Sequence, residues 1–357
     1  MNTTTSTSID VGRQEAFGER MLEVLNDAML GMLLSVGHRT GLFDRLAQLP
    51  PSTSQQVADA AGLDERYVRE WLGGMTVARI VEYDPTAATF RLPPEHASFL
   101  TRAAGPDNLA FFMQYLALIG QVEDEVVDAF RTGGGVAYSS YPTFQRLQAE
   151  ETARIFDAAL VNTIIPLAPG LPERLQAGID VVDVGCGQGH AINLLAQAFP
   201  ASRFTGIDIS EEGIAAGRTD AAERGLTNVR FEVQDAAALE GSYDVVFAYD
   251  VIHDLARPDE VLKAIARSLR PDGVFLMVDI TASSHLEENL DHPLGPTLYA
   301  FSIFYCMTTS LAQGGAGLGT VWGEQTAQRM LADAGFTDVN IEHVEGDILN
   351  VYYICRR

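Results

Sequence analysis

A glycine turn, a carboxylate at a strand end and a histidine past another strand are the residues here whose types and spacing could do chemistry. Gly185-Cys186-Gly187-Gln188-Gly189 follows the apolar run Val181-Val182-Asp183-Val184 and leads into the helical pattern Ile192, Leu194, Leu195, Ala198. A strand, a tight turn and a helix present backbone N–H groups to a ligand at the carboxyl edge of a sheet. Glycine suits such a turn because a Cβ would fill the ligand's space. The spacing is Gly-x-Gly-x-Gly, and no Gly-Lys-Ser/Thr follows, which argues against a pyrophosphate or a nucleoside triphosphate. Asp208 ends the apolar run Phe204 to Ile207, about twenty residues beyond the turn, where a carboxylate can accept two hydrogen bonds from a ribose diol. His253-Asp254 lies just past the run Tyr243 to Asp250. An imidazole with an ordinary pKa of about 6.5 is suited to taking a proton from a hydroxyl.

The elements that must position these groups are legible as patterns. Val229 to Ala236 reads as a third strand with Asp235 at its end, Tyr243 to Asp250 as a fourth, and Gly273 to Asp279 as a fifth after the turn Arg270-Pro271-Asp272-Gly273. A helix over Glu324 to Gly335 precedes two strands, Phe336 to Val344 and Leu349 to Cys355. Towards the amino end, residues 1 to 18 read as a flexible tail, and a helical pattern runs from Met21 through Leu46. Two capped helices follow, Ser52 to Leu63 and Asp64 to Leu72, and then a hairpin formed by Ile80 to Tyr83 and Thr89 to Leu92. Residues 101 to 170 read as mostly helical, with an aromatic face (Phe111, Phe112, Tyr115), a break at Arg131 to Gly135 and a helix over Glu150 to Ile165.

From the glycine turn onward, over roughly residues 171 to 357, this order of motifs resembles the class I S-adenosylmethionine-dependent methyltransferases. The resemblance implies an α/β fold: a Rossmann-like seven-stranded methyltransferase domain whose last strand is inserted antiparallel. It implies that Gly185, Gly187 and Gly189 line the methionine part of the cofactor and that Asp183 helps hold its ammonium. By the same resemblance Asp208, with Ile209 beside it, takes the ribose hydroxyls, Asp235 and Ala236 lie at the adenine, and Tyr249 closes over the cofactor. The His-Asp pair is similar to the motif that carries the general base of plant-type O-methyltransferases, so His253 would deprotonate the acceptor, with Asp254 anchoring the loop. The match departs from the family at Leu255, where a Trp is usual. It also gives no convincing copy of the later acidic residue that orients the histidine; Glu324 and Glu287 are loose candidates.

The helix, helix and hairpin of the amino-terminal region resemble a winged-helix unit. Such a unit can bind DNA, and Arg66 and Arg69 could touch phosphate, but Asp64, Glu65 and Glu70 share the helix and leave no basic stripe. The same unit opens many small-molecule O-methyltransferases, where it pairs two subunits and helps wall the substrate site. The chain has 24 basic and 48 acidic residues, a net charge of −24, which favours pairing over nucleic acid. The expectation is a homodimer without nucleic-acid or membrane partners. Four regions result: a tail over 1–18, a mainly helical winged-helix dimerisation domain over 19–100, a helical linker and substrate-pocket region over 101–170, and the cofactor-binding domain over 171–357. Phe112, Tyr115, His292, Tyr299 and Tyr305 are candidates for the acceptor pocket, with ordinary core packing as the alternative reading.

No apolar run reaches the roughly 20 residues that span a bilayer, and Met1 to Asp10 lacks an apolar signal core. With three scattered cysteines, Cys186, Cys306 and Cys355, a cytoplasmic protein is the simplest expectation. No metal is expected, since neither the cysteines nor His285 and His292 with Glu287, Glu288 and Asp291 show regular ligand spacing. His190 reads as structural. Gly314 to Gly319 is either a lid or a surface connection. The function expected is transfer of a methyl group from S-adenosylmethionine to a hydroxyl of a small aromatic or apolar molecule, leaving S-adenosylhomocysteine. The alternatives are a nitrogen, sulfur or carbon acceptor served by proximity alone, and a ligand-sensing winged-helix regulator.

Overall fold

The computed structural model describes residues 9–357. The chain divides into two compact units, Met1–Ala117 and Leu118–Arg357, so the stretch 101–170 is shared between them and forms no unit of its own.

In the first unit, helix α1 (Val11–Thr40) begins where the side chain of Asp10 accepts the Arg13 N–H at 3.1 Å. Residues 11–18, expected in a flexible tail, are therefore helical, and residues 1–8 of that tail lie outside the described residues. Gly41, with φ 73°, ends α1 by donating to the carbonyls of Gly37 and His38. The pattern expected to run on to Leu46 thus becomes a separate helix, α2 (Leu42–Gln48). α3 (Ser54–Ala61) opens on a capping box of Thr53 and Gln56, and α4 (Glu65–Val77) opens on Asp64, whose side chain accepts the N–H groups of Arg66 and Tyr67. β1 (Glu82–Asp84) and β2 (Thr89–Arg91) pair antiparallel. α5 (Pro94–Leu100) and α6 (Leu109–Phe112) follow, and the division between units falls inside α7 (Gln114–Gly120). Phe43, Leu46, Val57, Val68, Trp71, Leu72 and Met75 form the core of this unit.

The second unit opens on α8 (Glu123–Thr132) and α9 (Phe144–Ala159), the latter starting earlier than the Glu150 expected and closing in a π-turn over Leu160–Ile164 just before Pro166. After α10 (Leu171–Ala177), strands and helices alternate: β3 (Asp180–Val184), α11 (His190–Ala198), β4 (Arg203–Asp208), α12 (Glu211–Glu223), β5 (Val229–Val233), β6 (Tyr243–Tyr249), α13 (Pro258–Ser268) and β7 (Leu269–Ile280). α14 (Gly295–Phe301), α15 (Met307–Ala312), α16 (Glu324–Ala334), β8 (Asp338–Glu342) and β9 (Asn350–Arg356) complete it. The seven strands run in the order β5-β4-β3-β6-β7-β9-β8, with β9 antiparallel to both neighbours.

Alternation places Val181, Val245, Phe247, Val274, Leu276 and Val278 in the core on one face of the sheet. Val182, Val184, Val246, Ala248, Phe275 and Met277 enter the core on the other. Covering both faces is why the central strands are mostly apolar. The turn expected over Arg270–Gly273 lies inside β7 as an irregularity: the pairing with β6 jumps from Tyr243↔Leu269 to Val245↔Val274. Arg270 stays anchored there by an ion pair with Asp180 at 2.7 Å and another with Asp244. Among the described residues no single helix is long and apolar enough to cross a membrane.

Candidate active site

The carboxyl ends of β3, β4, β6 and β7 deliver an acid apiece to one edge of the sheet. They are Asp183, Asp208, Asp250 and Asp279, with Asp235 following β5. Open α/β sheets bind ligands at this edge.

On the β3–β4 side the glycine turn is held by its neighbours. Gly185 and Cys186 donate to the carbonyl of Ile207 at 2.9 and 3.0 Å, and Gly187 N–H donates to Asp208 Oδ2 at 2.9 Å. Asp208 Oδ1 accepts the Ser210 N–H at 2.7 Å. Burial pushes the Asp208 carboxyl up, while these N–H donors oppose the rise. A Cβ on Gly185 would lie 2.4 Å from Val251, whereas one on Gly187 would meet nothing within 4 Å, so the turn packs on one side and fronts open space on the other. Asp183 is 2% exposed, and its Oδ1 is buried with no partner among the described residues. Burial and then the charge of Asp208 push its pKa well up. An unpaired buried acceptor beside an open glycine cradle fits a ligand that brings a cationic donor, such as the ammonium of S-adenosylmethionine.

Other expected cofactor residues are placed less simply. Asp235 caps the following turn by accepting Ala237 N–H at 2.9 Å and pairs with Arg257. Ala236 is buried beside it, and Ile209 is exposed. Tyr249 stacks on Phe247 with centroids 5.4 Å apart and tilts against Phe156 at 4.9 Å. Its hydroxyl is buried without a partner among the described residues, and its pKa is driven up by burial and then by Asp183. Tyr249 therefore belongs to the floor of this edge.

On the β6–β7 side sits a buried dyad. His253, 4% exposed, shares a hydrogen bond between its Nδ1 and Asp279 Oδ1 at 2.9 Å, and Asp279 is fully buried. The same Oδ1 accepts the Ile280 N–H at 2.8 Å and the Trp322 indole N–H at 2.9 Å. Burial alone would pull the imidazole pKa down, but the Asp279 charge overrides it, with help from Cys306, and holds it well above the ordinary value. The acid expected to orient His253 is thus neither Glu324, which pairs with His343 at 3.4 Å, nor the exposed Glu287. It is Asp279, whose strand neighbours the histidine-bearing one in space. Asp279 was visible in the sequence as the end of the fifth strand, and the signal was that it is an acid closing an otherwise apolar run.

Asp250 follows β6 with φ 60°, a conformation rare outside glycine, and donates its N–H to Val278 at 2.8 Å. Its Oδ1 has no partner among the described residues, and burial, against the pull of His253, pushes its pKa up to about 7. Asp250, His253 and Asp279 each bring one potential ligand atom within 4.8 Å of the others. Asp254 meets the Tyr138 hydroxyl at 3.5 Å and is pushed up to about 6 by burial.

Tyr305 joins a cluster close to this dyad, stacked on Phe144 at 3.7 Å and edge-on to Tyr141 and Tyr138 at 4.9 and 5.9 Å. His292 caps its own turn by accepting Leu294 N–H at 3.1 Å, and Tyr299 is 37% exposed on α14. Phe112 and Tyr115 belong to the first unit, where both pack edge-on to Phe111. His190 pairs with Asp157 at 2.9 Å.

Comparison with known proteins matches both parts of this architecture. Residues 28–102 match an Rv2258c-like winged HTH domain, and residues 175–348 match a methyltransferase domain. The chain thus carries a winged-helix domain followed by a methyltransferase domain. A fatty-acid O-methyltransferase of Mycolicibacterium smegmatis is 35% identical over 102 residues, which cover 29% of this chain and 37% of that protein. The first curated relatives are matched over only 37% to 48% of their own length. The solved structure of mitomycin 7-O-methyltransferase superposes with a TM-score of 0.73 at 18% identity, covering 98% of this chain and 100% of that one. Human N-acetylserotonin methyltransferase, solved in complex with SAM, gives a TM-score of 0.68 at 16% identity, over 99% of each chain. At such identities the likeness is one of fold, and it spans the winged-helix and methyltransferase parts together.

Proposed function

We propose that this methyltransferase moves a methyl group from S-adenosylmethionine to a hydroxyl of a small aromatic or apolar molecule, with His253 as the general base. The observation that carries the reading is the buried His253–Asp279 pair at the carboxyl edge, beside the glycine cradle. The cofactor, once bound, supplies an electrophilic methyl group on a sulfonium, whose departure needs no protonation. What remains for the chain is to hold the acceptor in line, exclude water and remove one proton.

The residues divide those tasks. Gly185, Gly187 and Gly189 with Asp183 and Asp208 hold the cofactor. Asp279 fixes the imidazole by holding Nδ1, which leaves Nε2 as the nitrogen that receives the acceptor's proton. The aromatic cluster around Tyr305 supplies an apolar, ring-lined wall. Because Asp279 holds a proton on His253, the neutral base form is reached at a higher pH than for an ordinary imidazole. Turnover is expected to rise with pH, with its midpoint displaced upward from the ordinary histidine value.

The first unit is proposed to pair two copies of the chain. Phe17, Met21, Leu25, Met29, Met32 and Val36 lie exposed at helical spacing along α1, a stripe that a monomer would leave in water. Light scattering after size exclusion tests this, with a dimer mass expected.

The main reading is tested by calorimetric titration with S-adenosylmethionine and S-adenosylhomocysteine, then by turnover of a panel of phenols. Micromolar binding and a methyl ether product are expected. Binding without methylation of any phenol, but with methylation of amines or thiols, would move the acceptor to nitrogen or sulfur and remove the need for a base.

A further inference from the structure

We propose that Trp322 is a positioning residue for the His253–Asp279 pair and that the Gly315–Gly323 segment is a fixed strap, not a moving lid, that carries it there. The proposal deepens the functional reading above and rests on His253 being the base.

The strap is tied to the catalytic loop along its length. Ala316 N–H donates to Ala256 O at 3.0 Å, Gly317 N–H to Ser310 Oγ at 3.1 Å and Gly319 N–H to His253 O at 3.1 Å. Ser310 Oγ in turn donates to Leu255 O at 2.8 Å. The glycines serve close approach: a Cβ on Gly319 would lie 2.1 Å from Ser302 Oγ, and one on Gly323 would lie 2.0 Å from Ser284 N. A hinge would leave such positions open. These are filled, and the backbone bonds around them would have to break for the segment to lift.

The strap ends by placing the Trp322 indole, 5% exposed, on Asp279. Asp279 Oδ1 therefore accepts three donors, the His253 ring, the Ile280 amide and the indole, while its Oδ2 has no partner among the described residues. Asp250, Asp254 and Cys306 also face His253, but it is Oδ1 that the indole touches. Each donor on a carboxylate stabilises its negative charge and weakens its hold on any other proton. The indole thus moderates how tightly Asp279 keeps a proton on His253, and it stops the carboxylate from rotating away from Nδ1. Phenylalanine would keep part of the packing and remove the N–H.

NMR titration tests this without any need for turnover. The chain has two tryptophans, Trp71 and Trp322, and Trp71 bonds to Leu33 O at 2.9 Å, so it serves as an internal control. In the unaltered protein the Trp322 indole N–H is expected to titrate with the midpoint of His253 while the Trp71 signal stays still. Trp322→Phe is expected to raise that midpoint by about one unit, the scale of one hydrogen bond to a charged group. The acid limb of kcat/KM should move with it, and cofactor affinity should stay within about twofold. In an Asp279→Asn background the substitution should cause no further shift. A silent Trp322 indole overturns the proposal in the unaltered protein, even if the variants fail to fold. So does an unmoved or lowered midpoint in Trp322→Phe, or a shift that persists without Asp279. If His253→Ala keeps full turnover while the indole of the unaltered protein titrates as expected, the functional reading fails and the coupling stands.

Discussion

The two halves of the carboxyl edge use the same residue type in opposite ways. At the β3–β4 half, Asp208 spends both oxygens on backbone N–H groups, of Gly187 and Ser210, and so shapes a loop. At the β6–β7 half, Asp279 spends one oxygen on the side chains of His253 and Trp322 as well as a backbone amide, while Asp250 Oδ1 and Asp279 Oδ2 are left buried and unpaired among the described residues. Through Asp208 the first half fixes geometry, although Asp183 Oδ1 there is buried and unpaired as well, and the second gathers its unpaired carboxylate oxygens around His253. A binding site needs the former, and a reaction that must dispose of a proton needs the latter.

If that division is right, the two halves should fail in different measurements. The largest expected effect is on the proton side: His253→Ala should slow turnover by about 10²- to 10⁴-fold, the usual contribution of general-base catalysis. Cofactor affinity, read by calorimetry, should change little. Full activity in this variant would leave methyl transfer standing but move it to a mechanism of proximity alone. Next comes the geometric side. Asp208→Ala removes the anchor of Gly187 and the proposed ribose acceptor, and should weaken cofactor binding by about 10- to 100-fold, as loss of hydrogen bonds to a charged group does. With saturating cofactor, turnover should largely return. Equal damage to both quantities by either substitution would erase the distinction between the halves.

The halves also differed in how much of them could be read from the sequence. The glycine turn, Asp183 and Asp208 come from one strand-turn-helix and the strand beside it, so local patterning was enough. The dyad and the indole on it join residues 253, 279 and 322, brought together by the β6–β7 pairing and by the strap. Nothing in the spacing of Asp279 from His253 announces their contact. Candidates chosen by position, Glu324 and Glu287, lie elsewhere for that reason. The pocket residues split along the same line. Tyr305 sits in a cluster with Tyr138, Tyr141 and Phe144, while His292 caps its own turn and Tyr299 lies partly exposed on α14. The seven-stranded order was legible because apolar runs and strand-end turns are local. The bulge in β7 was not, because Arg270 to Gly273 looks like any other turn until Arg270 meets Asp180 and Asp244 across the neighbouring strands.

Proton affinity on the His253 side should be visible in stability. Asp250 is held at a pKa of about 7 and Asp254 at about 6, both raised above the ordinary 3.8 chiefly by burial. A group whose folded pKa is raised binds its proton more tightly in the native state, so its contribution to stability is full below the unfolded pKa. It is lost as pH rises through the folded value. Melting temperature should therefore fall on going from about pH 5 to about pH 8, over and above any effect of the net charge of −24. Asp250→Asn, which keeps the shape and cannot ionise, should flatten that slope. A slope unchanged by Asp250→Asn would mean that neighbouring groups hold the Asp250 carboxylate ionised in the folded protein.

The smallest expected effect concerns the winged helix. Its fold alone would permit DNA binding, and α4 carries Arg66 and Arg69. In the structure Arg66 pairs with Glu70 on the same helix, and Arg69 meets Glu65 at 3.5 Å. Both arginines are thus screened by acids one helical turn away, in a chain already strongly acidic. A helix that reads phosphate would present those charges unpaired. Replacing both arginines with alanine is accordingly expected to leave dimer mass, cofactor affinity and turnover within about twofold, since surface pairs of this kind contribute roughly 0–1 kcal/mol. A fluorescent duplex should show no binding at low salt before or after the change. Salt-dependent DNA affinity that disappears in the double variant would reverse the assignment, giving the first unit a nucleic-acid role and turning the acidic edge of the second unit from a catalytic centre into a sensor's ligand site.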